Sequence, residues 1–291
     1  MTLPFHLRSA SLPPGASGLL VEISPAAAAW RYVNFAVRQV AEGDAWSSST
    51  GVTEVCLVLL EGECRVSWNG GEGRLGPRAS VFSAYPHAVY LPPETSFTVE
   101  ATMRTQLADC RAPADVIHPP RVVRPAECGF EIRGGGNATR QIVDILPPSF
   151  AAHRLLICEV YTPSGNWSSY PPHKHDADNP PAEVQLEETY YYRFNAPHAY
   201  GVQRLYGPDD RDEQTLTVRH GDLVLIRSGY HPFVSAHGYD AYYLNVLAGD
   251  RRSMAASDDP RYAMFRRQWP APDPRLPVVR PPYVPNAMRT S

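Results

Sequence analysis

Proline is the residue type that most limits what this chain can fold into. Of its 291 residues, 30 are proline, about twice the average share of roughly 5%. Proline inside a helix removes a backbone hydrogen bond and clashes with the preceding turn, so long helices are excluded. The 16 tyrosines and many Val, Leu and Thr residues favour strands. The composition therefore predicts an all-β protein of one large or two ordinary domains.

Short strand-like segments separated by glycine and proline turns run through both halves of the chain. In the first half, the apolar run 53–60 and the alternating segment 64–68 precede Asn69-Gly70, a dipeptide typical of a type I′ hairpin turn. Further strands are expected at 79–82 and 96–101, and then at 155–161, 188–194, 199–206, 215–218, 223–226 and 239–247. This spacing predicts antiparallel sandwiches or barrels.

The two halves meet in a stretch rich in Pro and Arg, 112–127, that is followed by three consecutive glycines at 134–136. We therefore expect two domains, 1–125 and 126–291, with a short helix at 261–269 and an extended proline-rich tail beyond it. A weak internal echo indicates duplication, since Glu54 opens a strand in the first half much as Glu188 does in the second. No histidine lies in 42–51, so the first half is expected to share the fold without a metal site.

Charge and cysteine usage narrow the class of protein further. The net charge of −3 gives no general reason to expect a nucleic acid or an anionic membrane as partner. No signal peptide is apparent at the N-terminus, and no apolar run approaches the roughly 20 residues of a membrane span. The five cysteines are scattered and form no Cys-x-x-Cys pair, which fits reduced thiols in a cytoplasmic protein.

Three histidines and a glutamate are the candidate metal ligands. His173 and His175 lie in Pro-Pro-His-Lys-His, and on a strand such a pair projects from one face. Glu188 opens an aromatic strand, and His231 follows a Gly-Asp turn and a strand. Imidazole and carboxylate ligands suit a divalent transition metal and leave positions open for a substrate. Only one of Glu187 and Glu188 can face inward, and Glu188 is preferred because it shares a face with the aromatic residues that follow it.

At these residues the chain resembles the cupin superfamily, although the twelve residues between His175 and Glu188 are a longer spacing than typical cupins have. Four segments resemble 5-deoxy-glucuronate isomerase, a bicupin family of myo-inositol catabolism: 173–176, 179–181, 186–194 and 229–249. The related ketol-isomerase of pectin breakdown, which acts on 4-deoxy-L-threo-5-hexosulose-uronate, shares the same set of ligands.

The resemblance implies two double-stranded β-helix jelly-roll domains, a homo-oligomer, and one divalent ion, which could be Zn, Mn, Fe, Co or Ni. It implies conversion of 5-deoxy-D-glucuronate, a sugar acid, to 5-dehydro-2-deoxy-D-gluconate. The alternatives are the pectin-derived substrate, a dioxygenase that uses Fe(II) on the same ligands, and a non-enzymatic sugar-binding or regulatory cupin.

Residue types near the ligands supply candidates for the chemistry that such an isomerisation requires. A base must move a proton between two carbons unless a hydride shift operates, and general acid–base help is typically worth ~10²–10⁴-fold. The base candidates are Glu183, Glu187, Tyr190 and Tyr192. Arginine can bind a carboxylate through two parallel hydrogen bonds, so Arg193, Arg204 and Arg227 are candidates for binding the acid group of the substrate. Tyr243 and Asn245 are further candidates for substrate binding.

Overall fold

The computed structural model describes residues 5–13 and 15–282, and these residues form strands joined by turns. The strands of the first half are β1 His6–Leu7, β2 Gly18–Ile23, β3 Asn34–Val40, β4 Ala45–Ser49, β5 Thr53–Trp68, β6 Gly71–Arg78, β7 Ala88–Leu91, β8 Ser96–Ala101, β9 Thr105–Pro113 and β10 Arg121–Val123. Those of the second half are β11 Gly129–Arg133, β12 Arg140–Leu146, β13 Leu155–Thr162, β14 Trp167–Ser168, β15 His173–Lys174, β16 Glu187–Phe194, β17 Tyr200–Leu205, β18 Gln214–Arg219, β19 Leu223–Ile226, β20 Phe233–Ser235, β21 Ala241–Ala248 and β22 Ser257–Asp258. The helical segments are α1 Pro25–Ala28 and short 3-10 turns at Pro125–Glu127, Pro208–Asp210 and Ala263–Arg267.

The first half forms a barrel around the long strand β5. The order β10-β7-β5-β9-β3-β2 describes one side, and β4, β6 and β8 complete the other. Strand β5 bends at Gly62, which has φ +97° and would place a Cβ atom 2.2 Å from the carbonyl oxygen of Arg104. Glycine is required there because a side chain would be both strained and obstructed. The two strands expected at 53–60 and 64–68 are therefore one bent strand.

The strand expected at 79–82 is wrong, because this segment forms turns. The carbonyl of Val81 accepts hydrogen bonds from the side chains of Tyr161 (3.0 Å) and Arg78 (3.4 Å). The backbone carbonyl of Val81 therefore accepts hydrogen bonds from side chains and, within the described part of the chain, not from a neighbouring strand. Strand β6, which the sequence did not indicate, forms the hairpin after Asn69-Gly70 instead.

The second half forms a second barrel from two main sheets. One has the order β1-β19-β16-β21-β13-β12-β11, the other the order β14-β20-β17-β18, and β15 pairs with β22 beside them. Strand β1 crosses from the N-terminus to pair with β19, with His6 opposite Val224. The sheets change between β10, which pairs with β7, and β11, which pairs with β12. The prediction of an all-β fold with two barrels is confirmed.

A buried ion pair links the two barrels. Arg78 of the first barrel donates to both carboxylate oxygens of Glu159 of the second, at 2.8 Å each, and both side chains are fully buried. The hydroxyls of Tyr161 (2.7 Å) and Tyr242 (2.9 Å) also donate to Glu159. Arg78 donates further to the carbonyl of Leu59 at 2.7 Å. Such a buried charge pair is tolerated because both partners are extensively hydrogen-bonded.

Two further carboxylates join the barrels in a matching way. Glu54 accepts three consecutive backbone N–H groups of the second half, from residues 153 to 155, at 2.6–2.7 Å. Glu187 accepts three consecutive backbone N–H groups of the first half, from residues 31 to 33, at 2.6–2.9 Å. The contacts of Glu54 therefore correspond to those of Glu187, and not to those of Glu188 as the internal echo suggested.

The interiors of the two barrels differ. The first is filled by apolar side chains, among them Leu57, Leu59, Val66, Phe97 and Val99. The second combines apolar residues with the buried tyrosines of β16 and β21. Within residues 5–13 and 15–282, no helix is long and apolar enough to cross a membrane. The polar interior of the second barrel is the natural place to look for a site.

Candidate metal centre

Strand alternation determines which glutamate enters the second barrel. On β16, Glu188, Tyr190, Tyr192 and Phe194 share one face, and the last three belong to the apolar cluster inside the barrel. The other face carries Glu187 and points to the junction with the first barrel. Period-two alternation therefore brings Glu188 inward, where it is 2% exposed.

Three of the expected ligands converge inside the barrel. The ligand atoms of His175, Glu188 and His231 all lie within 4.8 Å of one another, and all three residues are buried. The Oε2 atom of Glu188 lies 2.7 Å from Nε2 of His175 and 3.3 Å from Nε2 of His231. Asn245 donates to the other carboxylate oxygen, Oε1, at 2.5 Å. The amide thus orients Glu188 so that one oxygen faces both imidazoles.

The hydrogen bonds behind the histidines fix which ring nitrogen faces the centre. Nδ1 of His175 donates to the carbonyl of Leu186, and Nδ1 of His231 to the carbonyl of Gly229, each at 3.0 Å. When the imidazoles are neutral, as metal binding requires, their single N–H lies on Nδ1 and both Nε2 atoms can present lone pairs to an ion. Nε2 of His231 is buried and has no hydrogen-bond partner among the described residues.

The electrostatics of the centre also match a cation. Burial alone would raise the pKa of Glu188, but the imidazoles of His175 and His231 outweigh it and hold that pKa below its usual value. Burial lowers the pKa of His231, with only partial compensation from Glu188. A buried carboxylate that faces two ring nitrogens, one of them orphaned, fits a divalent transition metal.

His173 lies beside this group but outside it. Its ring centroid is 4.8 Å from that of His231 and 6.5 Å from that of His175. Its Nδ1 lies 3.4 Å from the carbonyl of Pro171. It also lines the same cavity as His175 and Glu188. The structure therefore brings three of the four expected ligands together and leaves the fourth as a neighbour.

A polar network holds the loop that carries His175. Lys174 donates to Glu183 at 2.8 Å and to Asp176 at 2.6 Å. Glu183 also accepts the backbone N–H groups of Asp176 and Ala177, at 2.8 and 2.9 Å. Asp176 in turn accepts the N–H of Gly229 at 2.8 Å. The loop before Glu188 is thus tied to the turn that presents His231.

A cavity of about 640 Å³ opens beside the metal ligands. One wall of the cavity is formed by alternate residues of four neighbouring strands, which project inward from the large sheet. These residues are Arg140, Ile142 and Asp144 of β12, Cys158 and Val160 of β13, Glu188 and Tyr190 of β16, and Tyr243, Asn245 and Leu247 of β21. Residues 254–256, Asp258 and Arg266 from the C-terminal segment also line it. The cavity is therefore built almost entirely by the second half.

Two stacked tyrosines occupy the wall next to Glu188. The rings of Tyr190 and Tyr243 lie 4.4 Å apart at an angle of 6°. Tyr190 shares a hydrogen bond of 2.7 Å with the hydroxyl of Ser169, and Tyr243 donates to Ser168 at 3.1 Å. Burial, helped by the charge of Glu188, raises the pKa of Tyr190 far above its usual value. Ser169 has φ +52°, a strained backbone conformation of the kind that clusters at functional sites.

Two charged side chains of the cavity, Arg140 and Asp144, were not indicated by the sequence. Arg140 is 3% exposed, and burial lowers its pKa to about 10, with Arg133 and Arg266 acting in the same direction. Asp144 is half-buried, and burial raises its pKa. The missing signal was strand β12, which follows the triple glycine and was not among the expected strands. Period-two alternation from Ile142 would have turned both residues inward.

Several residues expected at the site lie elsewhere, which corrects their assignment. Glu187 and Arg193 occupy the outward face of β16, and Arg193 donates to Gln106 and Glu61 of the first barrel. Arg227 lies two residues after Leu225 on the same side of the strand. Its guanidinium carbon lies 4.7 Å from the centroid of the Phe5 ring. Glu183 lies in the loop network described above and does not line the cavity.

Tyr192 is not among the residues that line the cavity. Its hydroxyl donates to Gln203, whose amide donates in turn to the carbonyls of His231 (2.6 Å) and Pro232 (3.1 Å). Tyr192 thus supports the turn that carries His231. Arg204 lies outside the cavity and pairs with Glu213 and Asp210. Of the residues expected to bind substrate, Tyr243 and Asn245 line the cavity.

Comparison with protein families places this arrangement among known proteins. The KduI/IolB family matches residues 7–265. A relative from Geobacillus kaustophilus strain HTA426 named 5-deoxy-glucuronate isomerase is 44% identical over 253 residues, which covers 85% of this chain and 90% of the relative. A relative of the same name from Bacillus subtilis strain 168 is 36% identical, covering 84% of this chain and 91% of its own length.

Solved structures show the same fold. The crystal structure of an IolB-like protein from Salmonella typhimurium LT2 superposes with a TM-score of 0.86 at 38% identity, covering 89% of this chain and 98% of that one. A variant of Bacillus subtilis oxalate decarboxylase superposes with a TM-score of 0.62 at 10% identity, covering 89% and 80%. Because the solved neighbours are cupins, the prediction of two cupin domains is confirmed, and the buried histidine–glutamate group suggests a metal site.

Proposed function

This chain belongs to the KduI/IolB family, and we propose that it is an aldose–ketose isomerase that converts 5-deoxy-D-glucuronate to 5-dehydro-2-deoxy-D-gluconate. The relatives that match most of its length carry the name of that isomerase. The observation that carries the proposal is the convergence of His175, Glu188 and His231 on a polar cavity. We propose that the protein works in the cytoplasm as a homo-oligomer, with the first barrel serving as its structural half.

One divalent ion would be held by His175, Glu188 and His231, with His173 as a fourth ligand from the adjacent loop. When bound, such an ion polarises a carbonyl oxygen and stabilises the negative charge that develops when a neighbouring C–H proton is removed. Zn, Mn, Fe, Co and Ni all accept this donor set. Asn245 keeps the Glu188 carboxylate oriented, because its amide donates to Oε1 at 2.5 Å.

Among the carboxylates that line the cavity, Asp144 is the one available to move the proton. Glu188 faces the histidines, and Asp258 pairs with Arg266 at 2.5 Å. The carboxylate of Asp144 has no hydrogen-bond or ion-pair partner among the described residues, and burial raises its pKa against the opposing charge of Arg133. A base with a raised pKa is better matched to neutral pH. Asp144 therefore takes the role first considered for Glu183, Glu187 and Tyr192.

Tyr190, which lines the same cavity, would act as a proton donor. Its hydroxyl is uncharged at neutral pH, because burial keeps its pKa high. Either hydroxyl of the Tyr190–Ser169 hydrogen bond can be the donor. When Ser169 donates, the proton of Tyr190 is free to be donated to a substrate oxygen.

The proposal is tested by incubating the metal-loaded protein with 5-deoxy-D-glucuronate and following the ketose product by NMR. Turnover of 4-deoxy-L-threo-5-hexosulose-uronate in its place would favour the pectin-related function. Oxygen consumption by the Fe(II)-loaded protein without isomerisation would favour a dioxygenase. The variant Asp144→Asn should lower kcat by roughly 10²-fold while it retains the metal, and an unchanged kcat would remove Asp144 from the mechanism.

A further inference from the structure

One arginine of the cavity is buried without an ion-pair partner among the described residues. Arg140 is 3% exposed and lines the cavity. Its guanidinium donates from Nη1 to the backbone carbonyls of Tyr170 (3.0 Å) and Ala138 (3.4 Å). No carboxylate lies within ion-pair distance of it among residues 5–13 and 15–282. These two neutral acceptors use only part of its five N–H donors.

The other arginines of the cavity are paired. Arg133 bonds Glu131 through two nitrogen atoms, at 2.9 and 2.7 Å. Arg266 bonds Asp258 in the same manner, at 2.7 and 2.5 Å. The charges of Arg133 and Arg266 are thus neutralised by carboxylates of the protein, which leaves fewer of their N–H groups available to bind an anion from solution. Arg140 differs from them in being both the more deeply buried and the one without an acidic partner.

A buried guanidinium without an ion-pair partner is unfavourable, because burial removes its hydration and no carboxylate contacts it directly. Arginine remains protonated in proteins, so it cannot escape this cost by losing its proton. The cost is removed when a bound anion supplies the missing partner. A planar carboxylate is the best match, since it can accept two parallel hydrogen bonds from one guanidinium.

The position of Arg140 relates this anion site to the metal centre. The Tyr170 carbonyl that it bonds lies three residues before His173, and Ser169, the partner of Tyr190, directly precedes Tyr170. The indole of Trp269, from the C-terminal segment, lies 6.0 Å from the guanidinium carbon. Arg140 is therefore held by the segment that presents His173 and Ser169, which keeps the anion site and the reacting centre in a constant relation.

We propose that Arg140 binds the carboxylate of the sugar acid and so makes the cavity selective for uronates over neutral sugars. The inference rests on the proposed function, because it takes the sugar acid as the ligand. It assigns Arg140 the role first considered for Arg193, Arg204 and Arg227, whose side chains do not line the cavity.

The test compares two probes that differ only in the charge of the acid group, D-glucuronate and D-glucuronamide. Calorimetric titration of the metal-loaded protein should give at least about 10-fold tighter binding of D-glucuronate, the difference expected for charge-assisted hydrogen bonds. In Arg140→Met this preference should fall to less than about threefold, and Arg140→Lys should lie between the two. Arg204→Met is the matched control, because Arg204 pairs with Glu213 outside the cavity, and it should keep the wild-type preference.

A second measurement separates ligand binding from a structural role. Replacing an unpaired buried charge by methionine should leave the melting temperature of the ligand-free protein unchanged or raise it, whereas loss of a structural arginine would lower it. Equal binding of both probes by the wild type, absence of D-glucuronate binding, or an undiminished preference in Arg140→Met would each overturn the inference. A protein that shows the Arg140-dependent preference but does not turn over 5-deoxy-D-glucuronate would refute the proposed reaction and retain the anion site.

Discussion

The buried pair of Arg78 and Glu159 should make a large contribution to stability when one partner is removed. Arg78→Met would leave Glu159 without a counter-charge in a fully buried position, where only the hydroxyls of Tyr161 and Tyr242 still donate to it. Removing one partner of a buried pair typically costs about 3–5 kcal/mol. At roughly 2–4 °C per kcal/mol for a chain of this size, the melting temperature should fall by roughly 6–20 °C.

Urea unfolding followed by tryptophan fluorescence and circular dichroism would measure the loss. The double variant Arg78→Met with Glu159→Leu removes both charges and should recover most of the stability, because no unpaired charge remains. Arg65→Met is the control, since Arg65 forms an exposed pair with Glu100, and exposed pairs contribute little. A cost below about 1 kcal/mol for Arg78→Met, or a double variant less stable than the single one, would contradict this prediction.

Three further variants test the contacts around the site and between the barrels. Glu54→Ala should lower the free energy of unfolding by roughly 3 kcal/mol, because it leaves three backbone N–H groups without their charged acceptor; an unchanged urea midpoint would contradict this. Gly229→Ala should weaken metal retention, measured by dialysis against a chelator, since Gly229 has φ +78° and a Cβ atom there would lie 2.4 Å from the carbonyl of Tyr206; full retention would show that the His231 turn adapts. Glu183→Ala should weaken metal affinity roughly 10–100-fold by releasing the loop that carries His175, whereas an unaltered affinity would limit Glu183 to a structural role.

The sequence was most informative where a short-range pattern determines the geometry. Period-two alternation on β16 placed Glu188 inward, and the same alternation would have excluded Arg193, which shares its face with Glu187. The turn dipeptide Asn69-Gly70 and most strands of the second half were predictable for the same reason. The family resemblance supplied the pairing of distant segments that local patterns do not contain.

Contacts between the two halves were beyond reach of the sequence alone. Glu187 looked like a competitor for the metal, but it binds the backbone of residues 31–33, more than 150 positions away. Arg140 and Asp144 were missed because strand β12 was not predicted. A charged side chain whose partner is a ligand, as proposed for Arg140, cannot be recognised from residue spacing, because that partner is not part of the chain.

The most direct test of the central claim is a titration of the metal-free protein with Zn, Mn, Fe, Co or Ni while the initial rate of 5-deoxy-D-glucuronate isomerisation is recorded. We predict that the rate rises to a plateau at one ion per chain. We also predict that His231→Ala, which removes the orphaned Nε2 atom from the centre, shows neither retained metal nor turnover. Full activity in the metal-free protein, or in the His231→Ala variant, would contradict the central claim.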